Sequence, residues 1–151
     1  MKKICLTLLI TPLLMGCTWD KNGNQANGDS LLDYQKFEDR HLQWKDLFSP
    51  AKSQYFVYIY SLFCGHCENI KHNVLSVVNE RKEDFYLINY ADEIPIGTNA
   101  YETIGKEKIE EVFILGTPTL IGVNNQYISL NIAGEKDILD YLKLLPHNIC
   151  Y

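Results

Sequence analysis

Hydrophobic and polar positions along the chain fall into segments with different periods. From Leu31 to Phe48 the apolar residues Leu31, Tyr34, Phe37, Trp44, Leu47 and Phe48 recur at spacings of three and four or their multiples. That pattern predicts an amphipathic helix with the charges of Asp33 to Arg40 outside. A short strand within "RHLQWK" is the competing reading, and Ser49-Pro50 ends the element either way. His41 falls on the apolar stripe and reads as a boundary histidine without chemistry. Gln54 to Phe63, "QYFVYIYSLF", is a nearly unbroken β-branched and aromatic run, which predicts a strand buried on both faces in the middle of a sheet. After Cys64 to Cys67, the residues Ile70, Val74, Leu75 and Val78 share one helical stripe.

Phe85 to Tyr90 is a second buried-strand segment, suited to a parallel neighbor reached through that helix. Pro95, Gly97 and Gly105 break residues 93 to 111, where "KEKIEEVF" predicts a turn or two of helix. "TPTLIGVNNQYISLNIAG" predicts a hairpin, with strands Thr119 to Val123 and Tyr127 to Ala133 around a turn at Asn124-Asn125. Gly134 closes the second strand, and "EKDILDYLKLL" supplies Ile138, Leu139, Tyr141, Leu142 and Leu145 for a last amphipathic helix. The pattern is that of one α/β domain over about residues 31 to 146, in keeping with a length of 151 residues.

The first seventeen residues, "MKKICLTLLITPLLMGC", do not belong to that domain. Lys2 and Lys3 precede an apolar run from Ile4 to Leu14 that is too short to span a bilayer as a permanent helix, the profile of a secretory signal. Leu14-Met15-Gly16-Cys17 resembles the lipobox of bacterial lipoproteins, although Met15 stands where a small residue is usual. That resemblance implies cleavage before Cys17, acyl chains such as palmitate on it, and a place at the outer face of the bacterial cytoplasmic membrane or in the periplasm. Acyl chains hold a protein on a membrane at about 0.8 kcal/mol per buried methylene. "TWDKNGNQANGDS", Thr18 to Ser30, reads as a flexible tether with a reach of about 20 Å.

Composition adds little to the fold and more to the partners. With 46% hydrophobic and 22% charged residues the chain is globular in type, and its ten tyrosines favor sheet. Without residues 1 to 17, 12 basic residues stand against 19 acidic ones, a net charge near −7. Such a surface repels nucleic acid, so any membrane tie is the lipid rather than a basic patch.

The chemistry concentrates in Cys64-Gly65-His66-Cys67, at the junction of the first strand and its helix. A thiol in the first helical turn faces unpaired backbone N–H groups and the positive end of the macrodipole, which favor thiolate. Cys67, three residues on, lies beside it, and His66 can add positive charge. Cys64 is then the attacking sulfur and Cys67 the resolving one. A zinc site needs about four ligands, and only His41, His72, His147 and Cys150 are scattered elsewhere, so neither metal nor cofactor is assigned. A purely structural bridge across four residues would contribute only about 2 kcal/mol. His72 reads as a surface residue and Cys150 as an odd thiol outside the fold.

With these residues, Gly116-Thr117-Pro118-Thr119 about fifty positions later, and the hairpin and helix that follow, the sequence resembles the thioredoxin fold family. The resemblance implies a central mixed β-sheet flanked by helices, a cis bond before Pro118 against the cysteines, and backbone hydrogen bonds from Thr117 to an extended substrate. Cys-Gly-His-Cys matches the motif of protein disulfide isomerases. Two positions depart from the family: Tyr58 stands where a buried acid often handles the resolving thiol's proton, and Phe63 where tryptophan is common. Tyr58 is therefore a candidate modulator near Cys67, with a core tyrosine as the plainer reading.

The resemblance implies a thiol-disulfide oxidoreductase acting on cysteine-containing exported proteins. His66 and the oxidizing compartment favor oxidase or isomerase, and a reductase fed by a membrane redox partner comes second. A non-catalytic accessory lipoprotein assisting peptide secretion on the same scaffold is the alternative from another class.

Overall fold

The computed structural model describes residues 32–81, 84–90 and 93–145. The signal segment 1 to 17, the tether 18 to 30, Cys17, His147 and Cys150 lie outside the described residues. Four strands form one sheet: β1 (Gln54–Tyr60), β2 (Phe85–Asn89), β3 (Thr119–Asn124) and β4 (Tyr127–Ala133), in the order β2-β1-β3-β4. β1 pairs parallel with β2 and antiparallel with β3, and β3 pairs antiparallel with β4. Helix α1 (Gly65–Glu80) connects the parallel pair, and α2 (Glu135–Leu144) follows β4. A β-α-β unit, then a hairpin and a closing helix on one mixed sheet, is a thioredoxin-like α/β fold.

Alternation along β1 explains its central place. Tyr58 and Tyr60 pack into a core with Tyr34, Phe37, Cys67, Ile70, Val74, Leu75, Ile138 and Leu142, between the sheet and the two α-helices. Tyr55, Val57 and Ile59 enter a second core with Trp44, Leu47, Ile94, Val112 and Ile114. Both faces of β1 are thus covered, as the lack of polar alternation in its sequence predicts.

Three sequence expectations need correction. The helix expected over Leu31 to Phe48 is two 3-10 segments, Tyr34–Arg40 and Trp44–Asp46. Tyr34/Phe37 and Trp44/Leu47 are spaced by three, and in a 3-10 helix residues three apart eclipse one another. Non-helical backbone at Phe37 interrupts the first segment, and between the two His41 makes a single parallel bridge to Leu87, all that forms of the competing strand.

The first strand stops at Tyr60 rather than Phe63. Ser61 turns the chain there: its hydroxyl accepts from Phe63 N–H at 3.2 Å and its carbonyl from Cys64 N–H at 3.2 Å. The hairpin turn is Asn125-Gln126, one residue later than expected, with φ of 47° and 72°. Positive φ at both central residues suits a two-residue turn whose twist matches the flanking strands. The turn of helix expected within "KEKIEEVF" forms as a 3-10 turn, Ile109–Glu111, preceded by another at Ala100–Thr103.

Candidate active site

The turn at Ser61 brings Cys64 to the N-cap of α1. Its backbone is extended (φ −99°, ψ 110°), and its sulfur does the work usually left to an N-cap oxygen, accepting from Cys67 N–H at 3.1 Å. From the other side, the Cys64 thiol donates to the Thr117 carbonyl at 3.3 Å. Thr117 stands just before β3, in a cis bond to the buried Pro118, and Gly116 ahead of it has φ 135°, where a side chain would be strained. Strand β1, helix α1 and the loop into β3 therefore meet at one sulfur, next to the C-terminal end of β1.

The two cysteines, both free thiols here, are placed unequally. Cys64 is partly exposed, and Cys67 is 1% exposed in the core under α1. Burial by itself would push the Cys64 thiol up. Hydrogen bonds from the side chains of Cys67 and Thr117 and from the Cys67 and His66 backbone N–H groups outweigh it, and the thiol is held below its ordinary value of 9.0. Burial, and then donation to Cys64, push the Cys67 thiol up to about 11. At neutral pH the exposed sulfur is the one disposed to ionize.

The His66 ring is engaged by α2. Its Nδ1 meets Glu135 Oε1 of α2 at 2.5 Å, and Asn69 Nδ2 donates to the same oxygen at 2.8 Å. His66 Nδ1 is the donor, because the carboxylate can only accept. These bonds draw the Glu135 carboxyl below the ordinary carboxylate range, first through His66 and then through Asn69. Glu135 can lie there because Gly134, with φ 97°, turns β4 directly into α2.

Below the cysteines lies a group of aromatic rings. Tyr34 stacks on Tyr60 at 3.5 Å between centroids, and Tyr60 donates its hydroxyl to His41 Nε2 at 2.8 Å. The tautomer follows from the other nitrogen, which donates to the Phe37 carbonyl at 3.0 Å. The Tyr34 and Tyr58 hydroxyls lie near one another and near Cys67, buried but without hydrogen-bonding geometry. Desolvation, foremost, holds both phenols above their ordinary value.

Of the residues singled out from sequence, Cys64, Cys67, Thr117 and Pro118 come together, with Tyr58 beneath them in the core of Cys67. Gly65 opens α1 in open space, and His66 is beside the pair but engaged elsewhere. His72 is exposed on α1. His41, read as having no chemistry, is a structural tie between the first 3-10 segment and β1. Glu135, Asn69 and Tyr34 were missed. An acid immediately after the strand-closing Gly134 was the available signal for Glu135, but nothing local to it says that α2 begins beside His66. Among the described residues, no group of three or more His, Cys, Asp or Glu side chains is placed to hold a metal ion, and no helix is long and apolar enough to cross a membrane.

No protein-family model and no curated protein matches the chain. Solved structures similar to it include thioredoxin f2 of Chlamydomonas reinhardtii, at 15% identity and TM-score 0.43 over 74% of this chain and 97% of that one. Spinach chloroplast thioredoxin f, short form, has 14% identity and TM-score 0.45 over 68% and 91% of the two chains. Plasmodium falciparum thioredoxin has 12% identity and TM-score 0.45 over 71% and 99%. The thioredoxin-like fold is defined by the strand order, the helix placement and the position of Cys64 and Pro118.

Proposed function

We propose that this protein is a thiol-disulfide oxidoreductase that exchanges a Cys64–Cys67 disulfide with cysteine-containing exported proteins, as an oxidase or isomerase, from a lipid anchor at Cys17. The observation that carries the reading is the inequality of the two sulfurs. Cys64 is accessible, favored as thiolate and set against Thr117-Pro118, while Cys67 is buried and kept protonated.

In the oxidizing direction, a substrate thiolate attacks Cys64 of the disulfide, and Cys67 leaves and takes up a proton. A second substrate thiolate then attacks the substrate sulfur of the mixed disulfide and expels Cys64 as thiolate. Two electrons pass from substrate to protein, and a low-pKa leaving sulfur speeds the second step. In reverse, Cys64 attacks a substrate disulfide and Cys67 resolves it.

Exposed apolar side chains flank both parts of the site: Phe63 is 99% exposed, Leu62 65% and Leu115 41%. A surface of this kind suits unfolded segments, which present apolar side chains alongside a reactive cysteine. The signal-like and lipobox-like residues at the N-terminus support export, and a membrane redox partner would recycle the couple.

The test is to mix the oxidized protein with a reduced, unfolded test protein carrying two cysteines. Disulfide formation faster than in buffer, lost in Cys64→Ala, is expected. If the wild type neither oxidizes thiols nor reduces disulfides, the enzyme reading fails and the accessory-scaffold reading takes its place.

A further inference from the structure

His66 between the cysteines argues from sequence for a strongly oxidizing couple, since a cation or donor at Cys64 stabilizes the thiolate of the reduced form. The geometry points the other way. The described contacts of Cys64 Sγ are with Cys67, Thr117 and the backbone of His66, while the His66 ring is held by Glu135, itself steadied by Asn69. Neighboring charges are engaged elsewhere: Lys136 with Asp140, and Glu68 with Lys71.

We infer that Glu135 is a positioning residue for the redox couple: it holds the His66 imidazole off Cys64 and offsets its charge, making the disulfide harder to reduce than the Cys-Gly-His-Cys motif alone implies. This rests on the reading of Cys64 and Cys67 as an exchanging pair. Both parts of the effect act through the imidazole: held by Glu135 it does not turn to donate to the Cys64 thiolate, and when it is charged the carboxylate offsets the cation that would favor the thiolate. The couple is thereby drawn from the strongly oxidizing end toward a poise at which disulfides are both made and rearranged.

The experiment equilibrates wild type, Glu135→Gln, His66→Asn and the double variant with glutathione buffers and reads the fraction reduced. Two glutathione thiols give up two electrons to the Cys64–Cys67 disulfide and become glutathione disulfide. One released proton goes to Cys67, and the other goes to Cys64 or to solvent. Glu135→Gln is expected to raise the equilibrium constant for reduction of the protein disulfide at least threefold, about 14 mV at roughly 30 mV per tenfold change. The rise should shrink in the His66→Asn background.

An unchanged constant overturns the inference. So does an undiminished rise without His66, which would make Glu135 a general surface charge rather than a residue acting through the imidazole. Thermal unfolding of both redox forms separates the effect from structure, because a helix start that merely frays weakens both forms alike and leaves the potential in place. A wild type that forms no reversible Cys64–Cys67 disulfide at all overturns instead the function on which the inference rests.

Discussion

At Cys64 a sulfur occupies an N-cap position, and that one substitution of sulfur for oxygen links helix initiation to reactivity. The same backbone N–H that starts α1 stabilizes the thiolate. Iodoacetamide should therefore label Cys64 in the reduced protein with a rate whose midpoint lies below pH 9.0, while Cys67, pushed up to about 11, stays unlabeled until the chain unfolds. Peptide mapping by mass spectrometry reads both sites. The shifts act on stability with opposite signs. For Cys67 the unfolded chain releases its proton first, so its contribution is constant below about pH 9 and falls as pH rises toward 11. For Cys64 the native state releases its proton first, so stability rises with pH through the interval below 9.0.

Tyr58 gives a second test at this scale. A buried hydroxyl without a partner costs about 1–3 kcal/mol, so Tyr58→Phe should raise stability by about 1 kcal/mol in urea unfolding. A loss of stability would mean that the hydroxyl is bonded. The cysteines and Thr117-Pro118 were legible in the sequence because their chemistry depends on spacing within two short motifs. The partner of His66 was not, since His66 and Glu135 are brought together only by the packing of two helices.

Among the elements, those with a full-length period were legible and those held by a few tertiary contacts were not. β1, α1, the hairpin and α2 follow from continuous patterns of seven to sixteen residues. The stretch before β1 carried a helical stripe, yet its backbone is decided by Phe37, by the His41 bridge to Leu87, and by Lys71, which pairs with Asp33 at 3.3 Å and lies over the Tyr34 ring. The turn was misplaced by one residue because Asn124-Asn125 looks the better turn pair, whereas the register pairs Asn124 with Tyr127. Gln126 consequently sits at φ 72°. Relief of left-handed strain, less the added freedom of the unfolded chain, makes Gln126→Gly stabilizing by roughly 0.5–1 kcal/mol. Differential scanning calorimetry checks it, and a lower midpoint would refute the turn geometry.

For the whole molecule, the sheet places its reactive sulfur at the C-terminal end of a central parallel strand, where open α/β sheets commonly hold their sites. Burial of β1 on both faces fixes that end, so the site inherits its rigidity from the core. Anchoring belongs to this scale too: Cys17→Ser should move the protein from the membrane to the soluble fraction of the envelope, and unchanged partition would set the lipid tie aside. The central claim, that Cys64 attacks and Cys67 resolves, is tested most directly by Cys67→Ala expressed in its native envelope, with trapped species separated without reductant and mapped. The account predicts mixed disulfides with envelope proteins, all through Cys64, that dissolve on reduction and vanish in the Cys64→Ala/Cys67→Ala double variant. Absence of any adduct, or adducts that persist in the double variant, would contradict it.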